Sequence, residues 1–270
     1  VKMESVSSQH PQLLEEARRY EALVGGERVP EVYWFGTEGA YNVLVMDLLG
    51  PSLEALFRRC NSCFSLSTTL RLAGQMLQCI RYVHGRGFVH RDIKPENFAV
   101  GRGGTAARVH IVDFGLAKRY RDKDTCEHIP QRQGVGFAGT ARYASAASHL
   151  GNEQSRRDDV EALGYVLVYF LRGELPWQGL GKGAEKVERH RLIAAKKRSV
   201  SLAELCTGLP DEFIDYFEHC AELGFEDAPD YKWLQDQLEQ QLLREGSASL
   251  ASGTFDWEAL DEHASDSSAA

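Results

Sequence analysis

The chain has 270 residues and a net charge of −8 at pH 7, with 43% apolar and 26% charged residues. This length is enough for one large or two modest lobes with hydrophobic cores, and the composition is ordinary for a soluble globular protein. The acidic balance argues against a protein built mainly to bind nucleic acid. No apolar run approaches the roughly 20 residues that a helix needs to span a bilayer.

A helix is predicted close to the start of the chain. Pro11 suits the first turn of a helix, and Ser8 is a candidate for its N-cap. Apolar residues then recur at helical spacing, and Gly25-Gly26 is expected to end the helix. The residues of this apolar face are Leu13, Leu14, Ala17, Tyr20 and Leu23.

Two strands joined by a hairpin are predicted next. Residues 32–35 and 41–46 are rich in β-branched and aromatic side chains, which favour strands. The segment between them, Gly-Thr-Glu-Gly at 36–39, is typical of a hairpin turn. Residues 47–51, Asp-Leu-Leu-Gly-Pro, then break the strand pattern.

Helices are predicted at 52–60 and 68–84, and Gly85 and Gly87 are expected to terminate the second one. In that second helix, apolar residues at helical spacing form one continuous face. These residues are Leu70, Ala73, Leu77, Ile80 and Val83.

The chain contains six cysteines, of which Cys60 and Cys63 form a single C-x-x-C pair. A structural zinc site needs a second pair at metal-ligand spacing, and the sequence has none. We therefore expect reduced thiols that bind no metal, as in a cytoplasmic or nuclear protein.

The stretch from Phe88 to Val100 reads F-V-H-R-D-I-K-P-E-N-F-A-V and places a polar loop between two short apolar runs. The apolar runs predict two short strands, and Pro95 prevents the loop from becoming a helix. Asp92 can accept a proton from an incoming hydroxyl group, Lys94 can neutralise a phosphate, and Asn97 can bind a hard cation through its amide oxygen.

A second motif, V-H-I-V-D-F-G-L-A-K at 109–118, is an apolar strand that runs into Asp113-Phe-Gly. Between the two motifs, the glycine-rich segment 101–104 lacks the G-x-G-x-x-G pattern of phosphate-binding loops. We predict that this segment is only a turn between two strands.

H-R-D-I-K-P-E-N followed at this distance by D-F-G resembles the catalytic motifs of protein kinases. The resemblance implies that ATP and Mg²⁺ bind, that Asp92 orients the substrate hydroxyl, that Asp113 is the main Mg²⁺ ligand and that Asn97 holds a second Mg²⁺. The lysine at position 94 of this loop is a feature in which the sequence resembles Ser/Thr kinases. The alternative, that both aspartates are ordinary loop carboxylates, is disfavoured because each has all its companion residues.

The kinase resemblance also implies a nucleotide pocket upstream. Lys2 is expected to hold the α- and β-phosphates, and Glu16, on the first predicted helix, to fix Lys2. Met46 would lie at the back of the adenine pocket, and Asp47 and Leu49 would offer backbone groups to the adenine. In the family, a glycine-rich loop and two strands precede this lysine, and the sequence has no residues there. We therefore expect either an N-terminally truncated fragment or a pocket without its roof.

The segment after the D-F-G motif indicates which family of protein kinases the chain resembles. Most kinases carry Ala-Pro-Glu near 145–147, where this chain has Ser-Ala-Ala. G-T-A-R-Y-A-S at 139–145, H-L-G-N-E-Q-S-R-R-D-D-V at 149–160 and L-P-W-Q-G-L at 175–180 resemble the casein kinase 1 family. The similarity runs from residue 2 to about residue 257, nearly the whole chain.

The casein kinase 1 resemblance implies two supporting roles. Thr140 is expected to contact Asp92 and Lys94 and to position a short Ser or Thr side chain. Asp159 lies at the start of a helix that is apolar on all sides, which indicates burial. By analogy, its carboxylate is expected to accept hydrogen bonds from the backbone of the His90-Arg91 turn.

The same resemblance implies protein substrates with acidic or already phosphorylated residues upstream of the target serine. Phosphate dianions favour arginine forks or clustered lysines. Arg142 matches the main anion-binding arginine, and Arg91 and Lys118 are candidates for a second positive patch. The alternative for Arg142 is a surface arginine paired with an acid.

The family has lysines where this chain has Val135 and Glu188. Three other basic residues lie near the second position: Lys186, Arg189 and Arg191.

Toward the C-terminus, the basic run 196–198 is either a nuclear signal or the solvated end of a helix. Further helices are predicted at 202–205, 213–217 and 231–243. Residues 245–270 are expected to form a mostly disordered acidic tail, in which Phe255-Asp-Trp docks back on the core.

The sequence therefore predicts an α+β, bilobal protein-kinase fold over residues 1–257. The parts are a partial β-rich N-lobe (1–46), a hinge (47–51) and a helical C-lobe (52–244). The expected activity is transfer of the ATP γ-phosphoryl group to Ser/Thr of proteins by a monomer, with no nucleic-acid partner and no membrane span. The alternative is an inactive kinase-fold binding module or an impaired fragment. A small-molecule phosphotransferase is disfavoured because segment 139–145 would have no purpose there.

Overall fold

The computed structural model describes residues 1–9, 11–246 and 254–260. Its smaller lobe is a three-stranded antiparallel sheet with one helix packed against it. Strand β3 lies between the other two, and Lys2 is opposite the fully buried Leu44 in the register of the sheet. Lys2 therefore lies on the face that the helix covers. The elements of this lobe are β1 (Lys2–Ser5), α1 (Leu13–Ala22), β2 (Val32–Glu38) and β3 (Tyr41–Met46).

Helix α1 has Gln12, not the predicted Ser8, at its N-cap position. Its first donors are satisfied from the neighbouring strand: the Glu4 carboxylate accepts hydrogen bonds from the backbone N–H groups of Gln12 at 2.7 Å and Leu13 at 3.3 Å. A carboxylate here also interacts favourably with the positive end of the helix dipole. The strand therefore fixes where the helix begins, which a local capping pattern did not predict.

The hairpin between β2 and β3 turns at residues 39–40, later than the predicted turn at 36–39. Strand β2 continues through Gly36, which pairs with Val43 of β3, and the indole ring of Trp34 lies over this glycine. A Cβ atom at position 36 would come within 2.4 Å of that ring. Gly36 thus makes room for the Trp34 ring on the sheet and is not part of the turn.

The larger lobe is helical and is built around α5, which packs against α3 and α8. Apolar residues are buried on every side of α5, as predicted. Gly164 gives α8 room, since a Cβ atom there would lie 2.8 Å from the Phe217 ring. The helices are α2 (Leu53–Arg59), α3 (Leu66–Gly85), α4 (Ala146–His149), α5 (Arg156–Arg172), α6 (Lys186–Ser199), α7 (Leu202–Leu205), α8 (Glu212–Glu222) and α9 (Tyr231–Arg244).

Four short strands lie where the two lobes meet. The two strands predicted on either side of the polar loop are present, but they do not pair with each other: β4 pairs with β7 and β5 pairs with β6. Two separate ribbons therefore anchor the ends of the loop. Residues 101–104 connect β5 to β6, as predicted, and include part of a 3₁₀ turn. The strands are β4 (Phe88–Val89), β5 (Phe98–Val100), β6 (Val109–Ile111) and β7 (Lys118–Arg119).

Residues 254–260 pack on the larger lobe. Phe255 and Trp257 are buried, and the Trp257 ring lies 5.7 Å from the Phe64 ring. The Asp256 carboxylate accepts hydrogen bonds from the Ser65 backbone N–H and hydroxyl, both at 2.7 Å, at the start of α3. The predicted disorder of 247–253 and 261–270 lies outside the described residues. In the described part of the chain, no helix is both long and apolar enough to cross a membrane.

Candidate active site

Asp92 lies in the loop between β4 and β5, and its side chain is almost fully buried. The Thr140 hydroxyl donates to Oδ1 and the Lys94 ammonium donates to Oδ2, both at 2.7 Å. The Asn97 amide nitrogen donates to the Asp92 carbonyl oxygen at 2.9 Å and to Oδ2 at 3.3 Å. The structure thus brings all four predicted catalytic residues into direct contact around one carboxylate.

Local sequence and one distant aspartate shape this loop. Pro95 begins a single 3₁₀ turn, Pro95–Asn97, because its fixed φ suits the first position of a helical turn. Arg91 has a φ of 68°, a left-handed conformation that is unfavourable for arginine. Asp159 holds it in place: its buried carboxylate accepts hydrogen bonds from the backbone N–H groups of His90 at 2.6 Å and Arg91 at 2.8 Å. This is the contact that the family resemblance implied.

Lys2, Glu16 and Asp113 form a charged cluster between the lobes. Lys2 Nζ lies 2.7 Å from Glu16 Oε2 and 3.2 Å from Asp113 Oδ1. Burial disfavours the charged form of Lys2, but its bonds to these carboxylates raise its pKa overall. Burial also disfavours the charged form of Asp113, yet the Lys2 ammonium holds the pKa of Asp113 below its ordinary value. A cation and an anion therefore stand side by side at neutral pH.

The turn that carries Asp113 is fixed partly by a residue that the sequence predicted only as core. The Tyr20 hydroxyl accepts a hydrogen bond from the Asp113 backbone N–H at 3.1 Å. The Phe114 ring is fully buried between the rings of Tyr20 at 4.9 Å and His90 at 5.2 Å. Tyr20 follows Glu16 by one helical turn, so helical spacing from Glu16 is the signal that places it at this site.

The predicted adenine-binding residues lie at the end of β3 and directly after it. Met46 is half-buried at the end of this strand. The Asp47 N–H donates to the Glu31 carbonyl at 3.0 Å, and the Asp47 carboxylate accepts bonds from the Glu31 N–H and the Tyr33 hydroxyl. Among the described residues, neither the Asp47 carbonyl nor the Leu49 N–H and carbonyl has a hydrogen-bond partner. These backbone groups are available to a ligand.

Arg142, the main predicted anion-binding residue, is half-buried beside two tyrosines. Its guanidinium carbon lies 5.0 Å from the Tyr169 ring centroid, and Nη1 donates to the Tyr143 hydroxyl at 3.2 Å. It forms no ion pair within the described residues. Its alternative assignment, an arginine paired with a neighbouring acid, does not describe this geometry.

Arg91 and Lys118, the second predicted positive patch, line one cleft of 330 Å³. Both already have partners. The Lys118 ammonium lies 2.7 Å from Glu153, whose second oxygen pairs with Arg132 at 2.7 Å, and Arg91 Nε donates to the Leu116 carbonyl at 2.7 Å. An incoming anion would compete with Glu153, a buried residue whose role the sequence did not predict.

The assignment of run 196–198 as a solvated helix end is wrong for Lys197. This lysine is buried, its ammonium donates to the Arg142 and Ala144 carbonyls, and it lies 4.7 Å from the Trp177 ring centroid. Ile193 and Ala194 are buried on the same face of α6. Their spacing of four and three residues from Lys197 is a signal in the sequence that a count of basic charges overlooks. Lys197 thus supports the backbone on both sides of Tyr143.

The donor set suits Mg²⁺, which prefers oxygen ligands and takes only one or two from the protein when phosphates supply others. The Asp113 side chain is 43% exposed. The Asn97 amide nitrogen is committed to Asp92, which leaves its amide oxygen as the free ligand atom. Among the described residues, no group of three or more His, Cys, Asp or Glu side chains is placed to hold a metal ion. Mg²⁺ would therefore need phosphate oxygens as additional ligands.

One family model matches most of the sequence. The model for the protein kinase domain matches residues 1–226, which include every residue of the predicted site.

Proposed function

Because the chain belongs to the protein kinase domain family and has its bilobal α+β fold, we propose that it transfers the γ-phosphoryl group of ATP to Ser/Thr of protein substrates. The observation that carries the proposal is the pair of fixed carboxylates at the junction of the lobes. Asp92 is held by Thr140 and Lys94 at 2.7 Å each. Asp113 is held beside Lys2 at 3.2 Å.

The residues divide into those that act on the hydroxyl and those that act on the nucleotide. Asp92 accepts a hydrogen bond from the substrate hydroxyl and orients its oxygen, while Lys94 and Lys2 neutralise phosphate charge. Asn97 and Asp113 would hold Mg²⁺, which when bound neutralises phosphate oxygens and orients the triphosphate. This chemistry depends mainly on position and charge, so the rigid contacts around Asp92 serve it directly.

The adenine would bind where the backbone after β3 has free groups. The Asp47 carbonyl and the Leu49 N–H and carbonyl form no hydrogen bonds within the described residues and can pair with the edge of a base. Lys2 also suits this pocket because its side chain is 46% exposed while its ammonium lies 2.7 Å from Glu16. These features support nucleotide binding on this side of Asp113.

For the substrate side, we propose a preference for acidic or phosphorylated residues near the target serine, as in the casein kinase 1 family. Arg142 supports this preference because its positive charge has no carboxylate partner among the described residues. Lys197 and Trp177 both hold the Arg142 carbonyl, which fixes the backbone that carries the guanidinium. Arg91 and Lys118 form a weaker second patch because Lys118 is already paired with Glu153.

A phosphorylation assay with Mg-ATP and casein tests the activity. The chain is compared with a second chain that carries an N-terminal glycine-rich hairpin, and each is made with Asp92→Asn. We expect activity that falls by about 10²–10⁴-fold in the Asn variants, because the carboxylate that orients the hydroxyl is lost. Activity only with the hairpin would indicate that nucleotide binding needs that segment. Folded proteins without activity in any form would refute the enzyme and favour a kinase-fold binding module.

A further inference from the structure

We infer that Arg19 is a positioning residue that fixes the backbone turn after Asp113 and so aligns this carboxylate for Mg²⁺-dependent nucleotide binding. The inference rests on the proposed kinase function. Neither the catalytic motifs nor the helical spacing of apolar residues pointed to Arg19.

The guanidinium of Arg19 connects helix α1 to the D-F-G turn. Nη1 donates to the Phe114 carbonyl at 2.7 Å and to the Gly115 carbonyl at 2.6 Å. Both carbonyls belong to the 3₁₀ turn Phe114–Leu116, which begins directly after Asp113. Arg19 is half-buried, so these charged hydrogen bonds are partly shielded from water.

The turn needs such support because of its backbone conformation. Asp113 has a φ of 64° and a ψ of 74°, in the left-handed region that residues other than glycine rarely adopt. A conformation of this kind persists only where its surroundings determine it. Here Arg19 holds the carbonyls of residues 114 and 115, and Arg91 Nε holds the Leu116 carbonyl at 2.7 Å. Two arginines, one from each lobe, therefore hold three consecutive carbonyl groups.

Arg19 also couples this turn to the lysine that contacts Asp113. Glu16 precedes Arg19 by three residues on α1, so the two side chains share one face of the helix. Glu16 holds Lys2 and Arg19 holds the turn, and both contacts require α1 to be docked in its observed position. Without Arg19, the carbonyl groups of residues 114 and 115 lose their partner on α1, and Tyr20 alone holds the turn from that side. We therefore expect the orientation of the Asp113 carboxylate to be less well fixed.

Arg18 provides a matched control on the same helix. Its side chain is 62% exposed and its guanidinium pairs with Glu15 at 2.6 Å. Replacing either arginine by methionine removes one positive charge and keeps a strong helix former. A general effect of charge or of helix stability therefore appears in both variants, whereas an effect on the turn appears only at Arg19.

The test measures ATP affinity by titration calorimetry, once with Mg²⁺ and once with EDTA, for the wild-type chain and the variants Arg19→Met, Arg19→Lys and Arg18→Met. We expect Arg19→Met to reduce the Mg²⁺-dependent gain in ATP affinity about tenfold, since two charged hydrogen bonds are lost. The ATP affinity of Arg19→Met in EDTA should stay within about twofold of the wild-type value, because the adenine contacts are unchanged. Arg18→Met should match the wild type, and Arg19→Lys should recover part of the gain because an ammonium can still donate to a carbonyl.

The outcomes distinguish a failure of the inference alone from a failure of the proposed function. If the wild-type chain binds ATP with no gain from Mg²⁺, both are overturned. If the wild-type chain shows the gain and Arg19→Met equals Arg18→Met, only the role of Arg19 is overturned. Circular dichroism and thermal melting verify folding. Should Arg19→Met not fold, Arg19→Lys decides: a partial loss of the gain supports the inference, and a full wild-type gain overturns it.

Discussion

Asp159→Asn removes one buried negative charge from the larger lobe while keeping the size of the side chain. In the structure, this carboxylate accepts hydrogen bonds from the backbone N–H groups of His90 at 2.6 Å and Arg91 at 2.8 Å, and from the His84 imidazole at 2.9 Å. These bonds keep the pKa of Asp159 below its ordinary value although burial opposes ionisation. An asparagine has one oxygen, so its NH₂ group faces at least one donor whichever way the amide is turned.

The expected magnitude follows from these contacts. A hydrogen bond to a charged group contributes about 1.5–3 kcal/mol, and a buried donor left unpaired costs about 1–3 kcal/mol. We therefore expect Asp159→Asn to lower the free energy of unfolding by about 3–4 kcal/mol. For a chain of this size, that corresponds to a fall in Tm of roughly 10 °C. We also expect a lower kcat, because Arg91 is held in a left-handed conformation by this carboxylate and Asp92 follows it directly.

Calorimetric melting and initial phosphorylation rates measure the two effects. Asp158→Asn is the matched control, since Asp158 is buried at the adjacent position but bonds the Ser145 hydroxyl at 2.5 Å and the Ser155 N–H at 2.8 Å instead of the backbone of the catalytic loop. It should leave the rate per folded molecule largely unchanged. An Asp159→Asn variant that melts within about 3 °C of the wild type and retains its kcat would refute the proposed support of the loop.

Two further predictions concern pH and substrate charge. Burial raises the pKa of Asp158 from 3.8 to about 6, so its contribution to stability is complete below the unfolded value and is lost as pH rises through about 6. Urea titrations should therefore show wild-type stability falling, relative to Asp158→Asn, by about 3 kcal/mol between about pH 4 and pH 7; a difference independent of pH contradicts this. Arg142→Gln should raise KM for an acidic peptide about tenfold and leave KM for an uncharged peptide unchanged, because the lost contacts with Tyr143 and Tyr169 do not depend on the charge of the peptide, whereas the lost anion contact does. Equal effects on both peptides would indicate a structural role for Arg142.

The parts of the site that lie close together in sequence were predictable. Asp92, Lys94 and Asn97 fall within six residues, and Pro95 leaves their loop few conformations, so spacing alone placed them together. Thr140 and Lys2 are far from their partners in sequence, and only the resemblance to a known family connected them. Their contacts are set by tertiary packing and not by local pattern.

Residues whose roles depend on tertiary contacts were missed or misassigned. Ser8 had the right chemistry for an N-cap. The first backbone N–H groups of α1 instead bond to the Glu4 carboxylate, because β1 passes the N-terminus of this helix. Lys197 had the charge of a solvated residue, but two carbonyls and a tryptophan ring stabilise it in the interior. Arg19 and Glu153 each bind groups remote in sequence, and nothing in their immediate neighbours distinguishes them from surface charges.

The orientation of Asp113 depends on a continuous set of hydrogen bonds that begins in the core of the larger lobe. Asp159 on α5 holds the backbone at Arg91, and the Arg91 side chain holds the Leu116 carbonyl. From the other side, α1 holds the same turn through Arg19 and Tyr20 and holds Lys2 through Glu16. An outward movement of α1 would break the contacts of Arg19, Tyr20 and Glu16 at once. The contacts made by Asp159 and by the Arg91 side chain would stay intact. The two carboxylates of the site therefore differ in kind: Asp92 is fixed by the larger lobe alone, whereas Asp113 is fixed only when both lobes are docked.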